Sequence, residues 1–119
     1  MTKFYRVVTI ASAVTLLGLL LSFGANAQNV TMEQYRHPKN EKDLNFNKAY
    51  FAGIKDGLIA YNMPSEEKLF CMPGIPVLTF EQANDILMRW ARKKSTDTDS
   101  LPLGLALLSG LKETFPCSK

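Results

Sequence analysis

The chain is short of nearly every group that hydrolytic or transfer chemistry needs. Its 119 residues include one histidine and two cysteines. A cysteine–histidine or serine–histidine–carboxylate constellation is hard to assemble from that inventory. Zinc takes four nitrogen or sulfur ligands, or three with a water, and a disulfide would use up the soft ligands. There is no glycine-rich phosphate loop, no alternating strand pattern of useful length, no internal repeat and no low-complexity tract. Basic residues are spread among acidic ones, so nothing marks a nucleic-acid partner. These absences argue against an enzyme and predict no catalytic residue, no metal and no cofactor. A binding protein is the class that remains.

What is present starts with a leader. Lys3 and Arg6 form a basic n-region, an apolar run follows from Val7 to Phe23, and Ala25 and Ala27 occupy the small-residue positions of a cleavage site. That order is the pattern of a secretory signal. The rival reading is a membrane anchor, because the run is near the lower length limit for a bilayer span. The Ala25-Asn26-Ala27 site and the lack of basic residues directly after it favour removal after Ala27. Taking 27 residues from 119 leaves a single domain of 92, Gln28–Lys119, exported to the periplasm and free of the membrane. Loss of Lys3 and Arg6 cuts the basic residues from 14 to 12 against 11 acidic ones, so the formal charge falls from +3 to +1.

Both cysteines, Cys71 and Cys117, lie in the exported part, where a disulfide is the expected state. The alternatives are an intermolecular bridge or two buried thiols. Closing a loop between positions 46 apart would stabilise the fold by about 4 kcal/mol through the unfolded state. A domain of this size has little core to spare.

The periodicity predicts an all-α fold of three main helices, with a short helical turn before them. Thr31 and Gln34 have capping-box spacing, and His37-Pro38 ends that turn. His37 itself reads as a solvated side chain. The first long helix spans about Glu41 to Tyr61, capped by Asn40. Its stripe is Leu44, Phe51, Ile54, Leu58 and Tyr61, widened by Phe46 and Tyr50. Gly53 and Gly57 bare one side of it, which predicts close approach by another backbone, within the monomer or across a dimer. Asn62 to Lys68 is a polar surface break. Pro73-Gly74-Ile75-Pro76 then excludes helix and predicts a fixed, extended connector.

Thr79 and Gln82 form a second capping box. Phe80, Ala83, Ile86, Leu87 and Trp90 are the buried stripe behind it. Arg89, Arg92, Lys93 and Lys94 crowd its last turns, where positive charge suits the carbonyl end; a docking patch for an acidic partner is the other reading. Ser95–Ser100 is an acidic, solvated loop without a core role. Pro102 suits the first turn of the last helix, whose stripe is Leu101, Leu105, Leu108, Leu111 and Phe115. The carboxylate pairs Glu66/Glu67 and Asp97/Asp99 lie in exposed loops, a pattern of solvation rather than acid–base catalysis.

Three segments carry a resemblance. Tyr50-x-x-Gly53-x-x-Asp56-Gly57, Cys71-Met72-Pro73 and Phe115-Pro116-Cys117 recur in that order in the Rap/Tai family of type VI secretion immunity proteins, and Asn45–Cys117 is similar to it. Gln28–Asn40 lies outside the likeness, and a further cysteine that some members carry in the first helix is absent here. The resemblance implies a periplasmic, helical, homodimeric antitoxin. It would bind a peptidoglycan amidase effector and block its active-site groove with a protruding loop. Candidate contacts are Asp97, Thr98 and Asp99 in the Ser95–Ser100 loop, then Glu66 and Glu67 in Pro64–Lys68. The competing class is an HdeA-like acid-stress chaperone, which is also small, helical, exported and disulfide-closed.

Overall fold

The computed structural model describes residues 29–118. The leader expected over residues 1–27, and its cleavage after Ala27, lie outside the described residues. Among these residues four helices form and no strand does. They are α1 (Met32–Arg36), α2 (Glu41–Asn62), α3 (Phe80–Lys93) and α4 (Leu103–Thr114). The all-α class and the Cys71–Cys117 disulfide are both observed.

Local chemistry sets the helix starts as the spacing predicted. Thr31 Oγ1 accepts from the Gln34 amide at 3.3 Å while Gln34 Oε1 accepts from the Thr31 amide at 3.0 Å. Thr79 and Gln82 repeat the reciprocal pair at 3.1 and 2.9 Å. Each box satisfies two amides that a helix start leaves without partners. Asn40 Oδ1 accepts from the Asp43 amide at 2.8 Å and opens α2.

The last helix starts differently. Pro102 occupies its cap position and makes no side-chain cap. The Leu103 amide instead donates to the Val30 carbonyl at 2.8 Å, and the Met32 amide donates to Leu101 O at 3.0 Å. The segment before α1 therefore straps the entrance to α4. Met32 is fully buried beneath that strap.

The core lies where α3 and α4 pack, with α2 laid against them. Ala83, Ile86, Leu87 and Trp90 are buried on α3, as the stripe predicted. On α4 the buried set is Leu103, Ala106, Leu107, Gly110 and Leu111, while Leu105 faces out. The expected stripe was turned partly off the true face, because α4 is apolar almost all round and its sequence permits two registers. Gly110 packs tightly against α3. A Cβ there would stand 3.2 Å from Ile86 Cγ2 and 3.4 Å from Trp90 Cβ.

On α2 only Phe51 of the expected stripe is fully buried, and Ile54 and Leu58 are half-buried. Leu44, Phe46 and Tyr61 are exposed. The cause is length: α2 has 22 residues against 14 and 12 for its neighbours. At 1.5 Å per residue it outreaches them. A Cβ at Gly53 or Gly57 would meet nothing within 4 Å. The close approach expected at these glycines does not occur within the monomer.

Tyr35 joins α1 to α3 through a hydroxyl that donates to Asn84 Oδ1 at 2.7 Å. Burial pushes its pKa up from 10.0 to about 12. A raised folded-state pKa means that the neutral phenol's contribution is complete below pH 10 and is lost as pH rises to about 12. Alkaline unfolding followed by circular dichroism should show a loss of stability across that window. Tyr35→Phe should lack the step; an unchanged alkaline profile in the variant would rule Tyr35 out as its source.

Candidate functional site

The Ser95–Ser100 loop is tied down at its centre. Thr98 is 5% exposed. Arg36 Nη2 donates to Thr98 Oγ1 at 3.1 Å and pairs with Asp99 Oδ1. The Glu33 amide donates to Asp99 O at 3.1 Å, and Asp97 Oδ1 accepts from the Asp99 amide at 2.9 Å. The expectation of a loop without a core role is thus corrected, because it anchors α1. Asp97 stays exposed and Asp99 keeps 43% of its side chain accessible; Thr98 faces inward.

Glu66 and Glu67 are exposed, on a loop fastened at both sides. Ser65 Oγ donates to Glu67 O at 2.8 Å, and Lys68 Nζ donates to the carbonyls of Asn62, at 2.8 Å, and Met63. Asn62 is buried rather than on the surface. Its Nδ2 donates to Phe70 O at 2.7 Å and its Oδ1 accepts from the Leu69 amide at 2.7 Å. The side chain serves as an inner clasp for the loop, the usual arrangement for a buried amide. Nothing in the local sequence distinguishes such an asparagine from an exposed helix terminator.

The two carboxylate pairs are not brought together. Ser95–Ser100 enters α4, whereas Lys68 O lies 3.9 Å from Cys117 Sγ, beyond the far end of α4. Twelve residues of helix, about 18 Å, separate those ends.

A third feature stands beside Glu66 and Glu67 at the disulfide end. The connector Cys71–Val77 leaves the bridge and returns to the core at Leu78. The Cys71 amide donates to Phe115 O at 2.8 Å, and the largely buried Lys55 donates through Nζ to Leu78 O at 2.8 Å. Phe70 and Leu78 are buried on either side. Between them Gly74 takes φ +69°, and the Val77 amide donates to Ile75 O at 2.8 Å across Pro76. A φ of this sign favours glycine, which has no Cβ to clash. Ile75 and Val77 stand out from this connector at 84% and 71% exposure. The sequence predicted a fixed connector, but not that it would hold aliphatic side chains in solvent.

Three of the four basic residues that crowd the end of α3 are engaged internally, and Arg92 stays exposed. Arg89 pairs with Asp85 at 3.5 Å, and Lys93 and Lys94 reach Glu113 on α4 at 3.4 and 3.3 Å. The Lys94 hydrogen bond, with help from Lys93, holds the Glu113 carboxyl below its ordinary value. Lys94 Nζ also lies 5.2 Å over the Trp90 ring. His37 borders a shallow cleft with Lys39, Asp43 and Asn47. Among the described residues no group of three His, Cys, Asp or Glu side chains could hold a metal ion, and no helix is long and apolar enough to cross a membrane.

A small helical domain, closed by a disulfide, that holds fixed loops in solvent has the build of a binding protein. Comparison with family models places residues 22–117 in the family of Rap1a immunity proteins, and the chain belongs to that family. The match takes in Gln28–Asn40, which the resemblance had left aside. Comparison with curated proteins and with solved structures gave no match. Membership implies a protein that protects by binding a secreted effector toxin.

Proposed function

We propose that the mature chain is the periplasmic partner of a peptidoglycan amidase delivered by type VI secretion. It neutralises the enzyme by covering its active-site groove. The family match over residues 22–117 carries this reading, and the loops held at fixed positions supply a means. Preorganised loops lose little entropy on binding, so a small interface can be tight. The exposed carboxylates Asp97, Asp99, Glu66 and Glu67 contact the toxin, with Thr98 and Arg36 positioning the first pair. The leader is removed after Ala27.

The protein acts as a homodimer. Phe46, Gly53, Gly57 and Tyr61 fall on one exposed face of α2, and the two glycines leave room for another helix. Gly53→Ala with Gly57→Ala meets no obstacle in the monomer and should stabilise it by up to about 1 kcal/mol per site. If a second copy packs against those glycines, the same pair should weaken dimerisation in sedimentation equilibrium. An unaltered dimer would move the contact off this face.

The direct test is a panel of purified peptidoglycan amidase effectors. Protein isolated from the periplasm should begin at Gln28. At neutral pH it should bind one amidase of the panel stoichiometrically and stop cell-wall hydrolysis. Broad suppression of client aggregation at acid pH, with no amidase bound, would overturn the reading in favour of a chaperone.

A further inference from the structure

We infer that the connector Pro73–Val77 is the element that enters the toxin's groove, with Ile75 and Val77 as its apolar tips. This inference rests on the immunity reading above and shifts the centre of the interface away from the acidic loop.

The first observation is exposure without freedom. Ile75 and Val77 are the two most exposed of the large apolar side chains among the described residues. A flexible loop would lay them against its own protein. Beside the connector lies a cleft of about 290 Å³ lined by Ile59, Met63, Phe70 and Met72 together with Asn62 and Lys68, and neither tip lines it. The backbone holds them out. Pro73 and Pro76 fix two φ angles, Gly74 makes the reversal, and the bridge at Cys71 and the Lys55–Leu78 bond hold the two ends.

The second observation is charge. Leu69 to Phe80 contains no formally charged residue, while 21% of the chain is charged. Burying this segment in a partner strips water from no ion, so the desolvation that penalises charged contacts is absent. Interface centres are depleted in charge and their rims are polar. Glu66 and Glu67 lie on the other side of Cys71 and supply such a rim. The acidic loop, bound to Arg36 and placed at the far end of α4, has no comparable apolar element.

The third observation is shape. A narrow, fixed projection fits a concave partner, which a hydrolase groove supplies. A second copy has a broader surface open to it on the face of α2 around Gly53 and Gly57. The occupant is therefore the effector's groove.

The test uses the mature, oxidised protein and the amidase that it binds. Ile75→Asp with Val77→Asp should leave the melting temperature near that of the parent, because both side chains are in solvent. Affinity by calorimetry should fall at least about 100-fold, as for central anchors of an interface, with loss of inhibition. Ile75→Ala with Val77→Ala should cost about tenfold, and Glu66→Lys with Glu67→Lys only a few-fold, as rim positions do. If the aspartate pair binds within about threefold of the parent, the connector is not the inserting element and the immunity reading stands. If it breaks the dimer but spares amidase binding, the occupant is a second copy and the inference is overturned. If the parent binds no amidase, the functional reading falls and this inference falls with it.

Discussion

Replacing Cys71 and Cys117 together by alanine is expected to lower stability by about 4 kcal/mol, the loop-closure value for positions 46 apart. A domain of this size has roughly 5–14 kcal/mol in total, so the midpoint of thermal unfolding should drop by about 15–30 °C. Reductant should do the same to the parent protein and nothing to the variant. The effect has a local component as well. Cys71 opens the Ile75 connector, and the hydrogen bond that its amide donates to Phe115 O depends on the same junction. Amides from Met72 to Val77 should therefore exchange with solvent faster than those of α3 when the bridge is absent. A fall below about 1 kcal/mol would mean that the Asn62 clasp and the buried Phe70 hold this end without the bridge.

Phe51→Ala should cost about 3–5 kcal/mol, the range for truncating a buried aromatic ring. Phe51 is the only apolar residue of α2 that is fully buried. Its ring stacks on Tyr35 of α1 with centroids 5.1 Å apart and meets the edge of Phe80 of α3 at 5.2 Å. Such pairs add to the area buried, so one truncation loosens three helices. Phe51→Leu keeps most of the volume and should cost well under half as much. Urea unfolding with an unchanged slope is the measurement. A loss below about 1.5 kcal/mol for the alanine variant would show that α2 is fastened chiefly by Asn47 and Asn62.

How much was legible in the sequence depended on the range of the interaction. Capping boxes are made by residues three apart, so Thr31/Gln34 and Thr79/Gln82 were readable and the helices begin where they should. The α3 stripe was readable because charged residues mark its outer face. On α2 and α4 the apolar residues run over more than one face, and only the packing partners decide between them. Leu105 and Phe46 were therefore assigned inward and lie outward. Contacts across the chain left no local trace. Arg36 reaches Thr98 and Asp99, Asn47 donates to Gln34 O at 2.7 Å, and Asn62 clasps Phe70. The carboxylates were visible as surface residues, but that one pair braces a helix was not. The connector was legible as rigid from its prolines, and its outward tips depended on how its ends are fastened.

The strap over α4 bears on the order of events as the chain is made. A polypeptide emerges with its first residues leading, yet Val30 and Met32 find their partners only at Leu103 and Leu101. Cys71 likewise waits for Cys117. The opening turn and the bridge are both completed by the last helix, and contacts so distant in sequence form late. Helices α2 and α3 are closed by local contacts, whereas the strap and the bridge need residues beyond position 100. Synthesis and closure thus run in opposite directions.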